Sequence, residues 1–218
     1  MRFIASVASA MLLLASSIHA HFTVQHPQAV GEFKDEDENS APCGGYNPRI
    51  SDIPITDFHV DGDAIATTFT HSTGEWLYRM TTDPELKSNW TQIYPIFTQN
   101  GGGQYCSPHV TISHEFIGQK VIIGITAHAE DGFLYQCSGV HFVEGTGIQP
   151  SDCKNSSGVT SEWTPDSILT SQLGHPSDTP PSARTPSVGA SSKGEVSKGL
   201  GVMAIVGTMG VVVAIMMV

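Results

Sequence analysis

Val121-Ile122-Ile123-Gly124-Ile125-Thr126-Ala127 is an apolar run built mostly of β-branched residues. Branching at Cβ restricts χ1 and suits the pleated surface of a strand better than a helix. A longer run follows from Phe133 to Val143, with Tyr135 and Cys137 on one parity. Upstream, Ala64–Thr70 is rich in Thr, Ile and Phe, and Ile65, Thr67, Phe69 and His71 share one parity. Trp76–Thr81 and Ile93–Thr98 are short and aromatic, and Val110–Ser113 is brief. Gln99–Gln104 holds three glycines and reads as a loop, while Asp83–Ser88 is the one place that allows a helix. Short strands punctuated by Gly, Pro, Asn and Asp, with no 3.6-residue apolar period, predict an all-β antiparallel sandwich over residues 21–153.

Outward from this block, the N-terminal side begins with a secretory signal. Arg2 gives a positive start, Phe3 to Leu14 an apolar stretch, and Ala20 a small residue at the end. A cut after Ala20 makes His21 the first residue of the mature chain. Ala15 and Ser17 also satisfy the small-residue pattern and allow a cut after Ser17. With His21 first, a free amine and an imidazole sit on one residue and can chelate a metal through two nitrogens. No interior histidine can do this. Asp35-Glu36-Asp37-Glu38 reads as a solvated charge run, and Ala41-Pro42-Cys43-Gly44-Gly45 as a cysteine-anchored turn.

On the C-terminal side, composition changes after Cys153. Residues 154–198 contain 21 Ser, Thr and Pro among 45, too few large apolar groups to offset ordering entropy. This segment is expected to be a disordered stalk, with Trp163, Ile168 and Leu169 as its apolar residues. Gly199–Val218 is an uncharged stretch of membrane-spanning length. No basic residues follow it, and the small residues Gly189-Ala190-Ser191 precede it by a polar spacer. That arrangement predicts attachment of a glycosylphosphatidylinositol (GPI) anchor near Gly189, with the tail 199–218 removed.

The formal net charge is −11, which repels phosphate backbones and argues against a nucleic-acid partner. Four cysteines, Cys43, Cys106, Cys137 and Cys153, lie beyond the signal with no C-x-x-C spacing. In an oxidising compartment they imply two disulfides, with three pairings available. The expected pairing is Cys106–Cys137, stapling two core strands, and Cys43–Cys153, tying the domain's end to its early loop. Asn89-Trp90-Thr91 and Asn155-Ser156-Ser157 are N-glycosylation acceptors at Asn89 and Asn155. No nucleotide-binding loop, nucleophile elbow or H-E-x-x-H helix is present.

The chain holds ten histidines. His26, His59, His109, His114, His128, His141 and His175 read as ordinary surface or stalk residues. His71 differs, because it ends a strand immediately before the Ser72-Thr73-Gly74 turn, where a rigid scaffold presents a side chain. Together, His21, Pro42-Cys43-Gly44-Gly45, Thr70-His71, Tyr105-Cys106-Ser107-Pro108 and Asp131-Gly132-Phe133-Leu134-Tyr135-Gln136-Cys137 resemble the fungal copper-acquisition-factor family. Its members are GPI-anchored and similar to lytic polysaccharide monooxygenases (LPMO-like).

The resemblance implies an immunoglobulin-like or fibronectin-III-like sandwich and a histidine brace for one Cu(II). His21 would give its amine and a ring nitrogen, and His71 the third nitrogen. A carboxylate maps most naturally onto Asp131, with Glu130 adjacent. Three nitrogens in a plane suit Cu(II), which tops the divalent affinity order. The implied role is copper collection at the cell surface, without oxidative cleavage of polysaccharide, by a monomer on the outer leaflet and with a plasma-membrane copper transporter as a possible partner. An oxidative polysaccharide-cleaving enzyme is the alternative, and a structural wall protein a third. An enzyme would need an open copper position and a flat aromatic or polar substrate face; the sequence holds Trp76, Tyr78 and Trp90 without fixing where they lie.

Overall fold

The computed structural model describes residues 21–151 and 153–173. The signal at 1–20, the attachment site at Gly189, the tail at 199–218, His175 and the stalk beyond 173 lie outside the described residues. Strands β1 (Phe22–His26), β3 (Asp63–Phe69) and β7 (Gly103–Val110) form one sheet in the order β1-β3-β7. The second sheet runs β10-β6-β4-β8-β9-β2. It is built from β2 (Ile55–His59), β4 (Thr73–Thr81), β6 (Phe97–Asn100), β8 (Lys120–Ala129), β9 (Gly132–Val143) and β10 (Thr160–Trp163). β5 (Thr91–Gln92) pairs with β4. All pairings are antiparallel except β2–β9, which is parallel. The expected all-β sandwich is the observed fold.

Parity puts the core between the sheets. Ile65 and Phe69 of β3 face Trp76, Tyr78 and Met80 of β4, and Ile123, Ile125 and Ala127 of β8, all buried in one cluster. The opposite parity covers the outer faces, and here the disulfides differ from expectation. The bonds are Cys43–Cys137 and Cys106–Cys153, with Cα separations of 5.0 and 5.2 Å. Cys106–Cys153 packs with Ala64 and Ala66 on the outer face of the smaller sheet. Cys43–Cys137 packs with Leu86, Trp90 and Ile122 on the outer face of the larger one. Cys106 and Cys137 belong to β7 and β9, strands of opposite sheets, and each faces outward, so the expected staple between them cannot close.

The glycine-rich stretch is also tighter than a loop reading implies. β6 and β7 run into it from both sides, leaving Gly101 and Gly102 to turn the chain. The Asp83–Ser88 segment is not helical. The Asp83 carboxylate accepts from the backbone N–H groups of Glu85, Lys87 and Ser88 and folds the segment into a turn.

The domain does not stop at Cys153. β10 pairs with β6 from Thr160↔Asn100 to Trp163↔Phe97. A helical turn, α1 (Ser167–Thr170), is capped by Asp166, whose side chain accepts from Ile168 N–H and Leu169 N–H. Leu169 has no exposed surface and packs on Leu77 and Ile96. Composition misplaced this boundary because one buried leucine and one capping aspartate anchor a segment otherwise made of small polar residues. Leu169→Ala should therefore destabilise the domain by about 2–5 kcal/mol in denaturant unfolding. An unchanged midpoint would show that the segment does not contribute.

Candidate metal centre

The site starts from a core residue. Phe22 is fully buried and meets Trp76 edge-on, with ring centroids 5.0 Å apart. The register Phe22↔Phe69 sets His21 opposite Thr70. Thr70 N–H donates to the His21 carbonyl at 3.0 Å, and Thr70 Oγ1 accepts from His21 N at 2.8 Å. The His21 ring stands 4.9 Å from that of Phe33, with Nδ1 3.8 Å from Asp35 Oδ1.

His71 is the next residue past Thr70. Its ring lies 5.0 Å from Phe69 and is buried, at 7% exposure. The third element is the turn joining β8 to β9, closed by Ala129↔Gly132. Gly132 has φ +118°, a conformation side-chain-bearing residues rarely adopt, so this tight turn requires glycine there. On that turn Asp131 puts Oδ1 3.1 Å from His71 Nε2, and both Asp131 and its neighbour Glu130 are exposed.

Whether these residues suit a metal can be tested on one atom. His71 Nε2 is buried and lies at ion-pair distance, 3.1 Å, from Asp131 Oδ1, with no aligned hydrogen bond between them. Ligand bonds of about 2.0–2.2 Å at right angles would set neighbouring ligand atoms roughly 3 Å apart. A buried imidazole nitrogen and a carboxylate oxygen at that spacing are compatible with a shared cation, and equally with a direct ion pair.

Glu38 is a residue the sequence reading missed. It lies in the acidic run yet is buried, at 2% exposure. Its Oε1 accepts from Phe22 N–H at 3.1 Å and from the Gln136 side chain at 3.2 Å. The Gln136 amide also donates to the Phe22 carbonyl and accepts from Val24 N–H. The Glu38 carbonyl accepts from Tyr135 N–H at 2.8 Å, so the loop lies along β9. The cause is the Cys43–Cys137 bond, which draws the loop across that strand. Gly44 makes the approach possible, because a Cβ there would meet the Tyr135 carbonyl oxygen at 2.5 Å. The correct pairing was the signal that would have placed Glu38 beside Gln136.

Burial pushes the Glu38 carboxyl up to about 8. Its hydrogen bonds from Phe22 and Gln136 oppose this, and the charges of Asp35 and Asp131 add to it.

Most other histidines are partnered by acids. His26 and His59 flank Asp63 at 3.6 and 2.8 Å, His114 meets Asp61 at 2.6 Å, and His141 meets Asp57 at 3.0 Å. Burial alone would raise the Asp63 carboxyl, but His26, His59 and two backbone N–H groups outweigh it and hold it near 2. Asn89 and Asn155 are both exposed, and Asn155 Oδ1 accepts from Cys106 N–H.

With this geometry in place, comparison with known proteins decides the family. A family model described as copper acquisition factor BIM1-like matches residues 19–158. The chain belongs to this family. It is 30% identical over 167 residues to copper acquisition factor BIM1 of Cryptococcus neoformans var. grubii, covering 70% of this chain and 74% of that protein. It is 28% identical over 162 residues to the lytic polysaccharide monooxygenase-like protein X325 of Yarrowia lipolytica, covering 71% of this chain and 61% of that one. An Aspergillus fumigatus relative is 26% identical over 160 residues, covering 69% of this chain and 65% of its own length. The chain thus spans just under two thirds of those last two relatives. Membership in a copper-acquisition family supports a copper-related function.

The buried acid gives a prediction with a definite sign. A carboxyl raised from 4.5 to about 8 contributes stability that is full below pH 4.5 and lost as pH rises through 8. Across that window the loss is about 1.4 kcal/mol per pH unit. Glu38→Gln keeps the shape without a titrating proton. Metal-free Glu38→Gln should therefore gain in melting temperature over wild type at pH 8 and lose that gain towards pH 4.5. A constant difference across the range would refute the raised carboxyl.

Proposed function

We propose that this chain is a cell-surface Cu(II)-binding protein acting in copper acquisition. It would hold one copper through the His21 amine and ring, His71 and Asp131. The observation that carries this reading is the buried His71 Nε2 lying 3.1 Å from Asp131 Oδ1, one residue beyond the threonine that pairs with His21.

The chemistry follows from the donor set. Cleavage between Ala20 and His21 would turn the His21 nitrogen into a terminal amine. With a pKa of about 7.7, such an amine deprotonates readily enough near neutral pH to bind metal. Asp131 adds a negative charge, which favours Cu(II) over Cu(I) and occupies a position that oxygen or its reduced forms would otherwise take. The buried Phe69 ring, 5.0 Å from that of His71, restricts its orientation. The reading also includes N-glycans at Asn89 and Asn155, a GPI anchor near Gly189 that holds a monomer on the outer leaflet, and hand-over of copper to a plasma-membrane transporter.

A reading without oxidative polysaccharide cleavage draws limited support from three aromatic residues, since Phe33, beside His21, and Trp163 are exposed. Trp76, Tyr78 and Trp90 are buried, at 0%, 1% and 5% exposure, so none supplies a flat face for a glycan.

Isothermal titration and electron paramagnetic resonance of the secreted protein test the proposal. Wild type should take up one Cu(II) at this centre. His71→Ala should bind it more than about 100-fold more weakly, since even outer-shell partners of a metal are worth 10–100-fold. Asp131→Ala should lose less affinity but shift the resonance spectrum. With a reductant and peroxide, wild type should release no oxidised sugars from chitin, cellulose or β-glucan. Oxidised oligosaccharides that vanish in His71→Ala would make the site an enzyme's instead.

A further inference from the structure

A second group of metal-ligating side chains lies on the outer face of the larger sheet. Glu75 of β4 and His128 of β8 are direct cross-strand partners. Both alternate with the core residues Trp76 and Ala127, so both point away from the core. Asp166, the residue that caps α1, reaches them from the C-terminal segment. One ligand atom from each of the three lies within 4.8 Å of the other two.

Each side chain is held in place independently. The sheet register fixes Glu75 and His128. The His128 ring stacks on Phe133, with centroids 4.7 Å apart and planes 27° off parallel. Asp166 Oδ1 is occupied by Ile168 N–H at 2.7 Å and Leu169 N–H at 3.1 Å, and this fixes where Oδ2 sits. Oδ2 lies 3.7 Å from His128 Nδ1, and Glu75 Oε2 lies 3.9 Å from the same nitrogen.

The nitrogen between the two carboxylates is the telling atom. His128 Nδ1 is shielded from solvent and has no hydrogen-bond partner. At 3.7 and 3.9 Å the carboxylate oxygens are too far to accept a proton from it directly. Those spacings instead approach the edges of a coordination polyhedron. A metal about 2.1 Å from each atom, with angles of 109–120°, separates its ligands by roughly 3.4–3.6 Å. One side of the cluster stays open, because Asp166 also lines a surface groove with Gln92, Ile96 and Trp163.

We propose that Glu75, His128 and Asp166 form a second cation site for a borderline divalent transition metal, with water completing its shell. Imidazole with two carboxylates suits Zn(II) or Cu(II), whereas Mg(II) and Ca(II) prefer all-oxygen sites. The site is separate from the brace and does not depend on that reading. Two of its ligands belong to the sheet and the third to the segment after β10, so a bound ion would clip residues 160–173 to the domain.

The test uses the full secreted protein with Zn(II) and, separately, Cu(II). Wild type and His71→Ala should both bind a Zn(II) equivalent that Glu75→Gln loses. Asp166→Asn keeps a competent helix cap and removes one ligand charge, and should weaken Zn(II) binding at least tenfold. Zn(II) should also slow amide exchange in residues 160–173 of wild type and not of Glu75→Gln. His128→Ala should behave like Glu75→Gln; if it fails to fold, the two conservative variants decide alone. Wild-type Zn(II) stoichiometry and exchange that Glu75→Gln and Asp166→Asn leave unchanged would overturn the site, leaving an ion-paired histidine only. Loss of Cu(II) in His71→Ala with retention of this Zn(II) equivalent would separate the two centres.

Discussion

The burial of Phe22 is the constraint that fixes where His21 and His71 stand. Phe22 and Phe69 are opposite one another in register, and both meet Trp76 edge-on at 5.0 Å. A one-residue slip of β1 would replace Phe22 in the core by Thr23 or His21, which the fully buried aromatic cluster cannot accept. His21 therefore has one position, at the end of its sheet beside Thr70. His71 is two residues beyond Phe69 and inherits the same anchor. Asp131 arrives from the other sheet, delivered by the ladder that runs from Lys120↔His141 to Ala129↔Gly132. His71 and Asp131 come within 3.1 Å of each other, and His21 lies against Thr70, the residue before His71, because each stands just outside a strand whose inward parity leaves no choice of register.

How much of this was legible depends on what encodes it. The alternation of Ile65, Thr67 and Phe69 is local and it predicted strand β3, but the strand ends at Phe69 and His71, expected at its end, lies buried two residues beyond it. The apolar runs that became β8 and β9 were equally plain, and the turn between them carried Asp131. The disulfides were not legible, because four cysteines allow three pairings and only the outward direction of Cys106 and Cys137 excludes the one expected. That error hid Glu38, whose burial comes from a covalent tie 94 residues long in sequence separation. The His128 cluster was hidden for a related reason. Asp166 sits among Ser, Thr and Pro, where composition predicts no structure.

The electrostatics of the centre show why burial rather than charge counting matters. Asp35, Glu38 and Asp131 all act on this end of the sandwich, and three ionised carboxylates would repel one another. The burial of Glu38 keeps one of them neutral over most of the physiological range. Protonated, it still accepts from Phe22 N–H, the first backbone group after His21. The acidic run therefore does two different jobs. Asp35 stays exposed near the His21 ring, and Glu38 ties the strand that carries His21 to Gln136 of β9.

Arg79 explains why the domain needs its C-terminal segment. It is buried, at 3% exposure, on the outer face of β4 between its sheet and Trp90, over whose ring it lies at 4.3 Å. No carboxylate pairs with it among the described residues, and burial pulls its guanidinium down to about 10. An unpaired buried cation is costly unless its donors are met. The aromatic face meets part of that need, and the Gln172 carbonyl accepts from one terminal nitrogen. Gln172 also accepts from the Tyr135 hydroxyl at 3.1 Å, joining the same segment to β9. The segment that brings Asp166 to His128 is therefore the one that satisfies Arg79. Its anchoring by Leu169, by Gln172 and by the Asp166 cap meets one structural requirement, set by a cation that β4 carries buried on the outer face of its sheet.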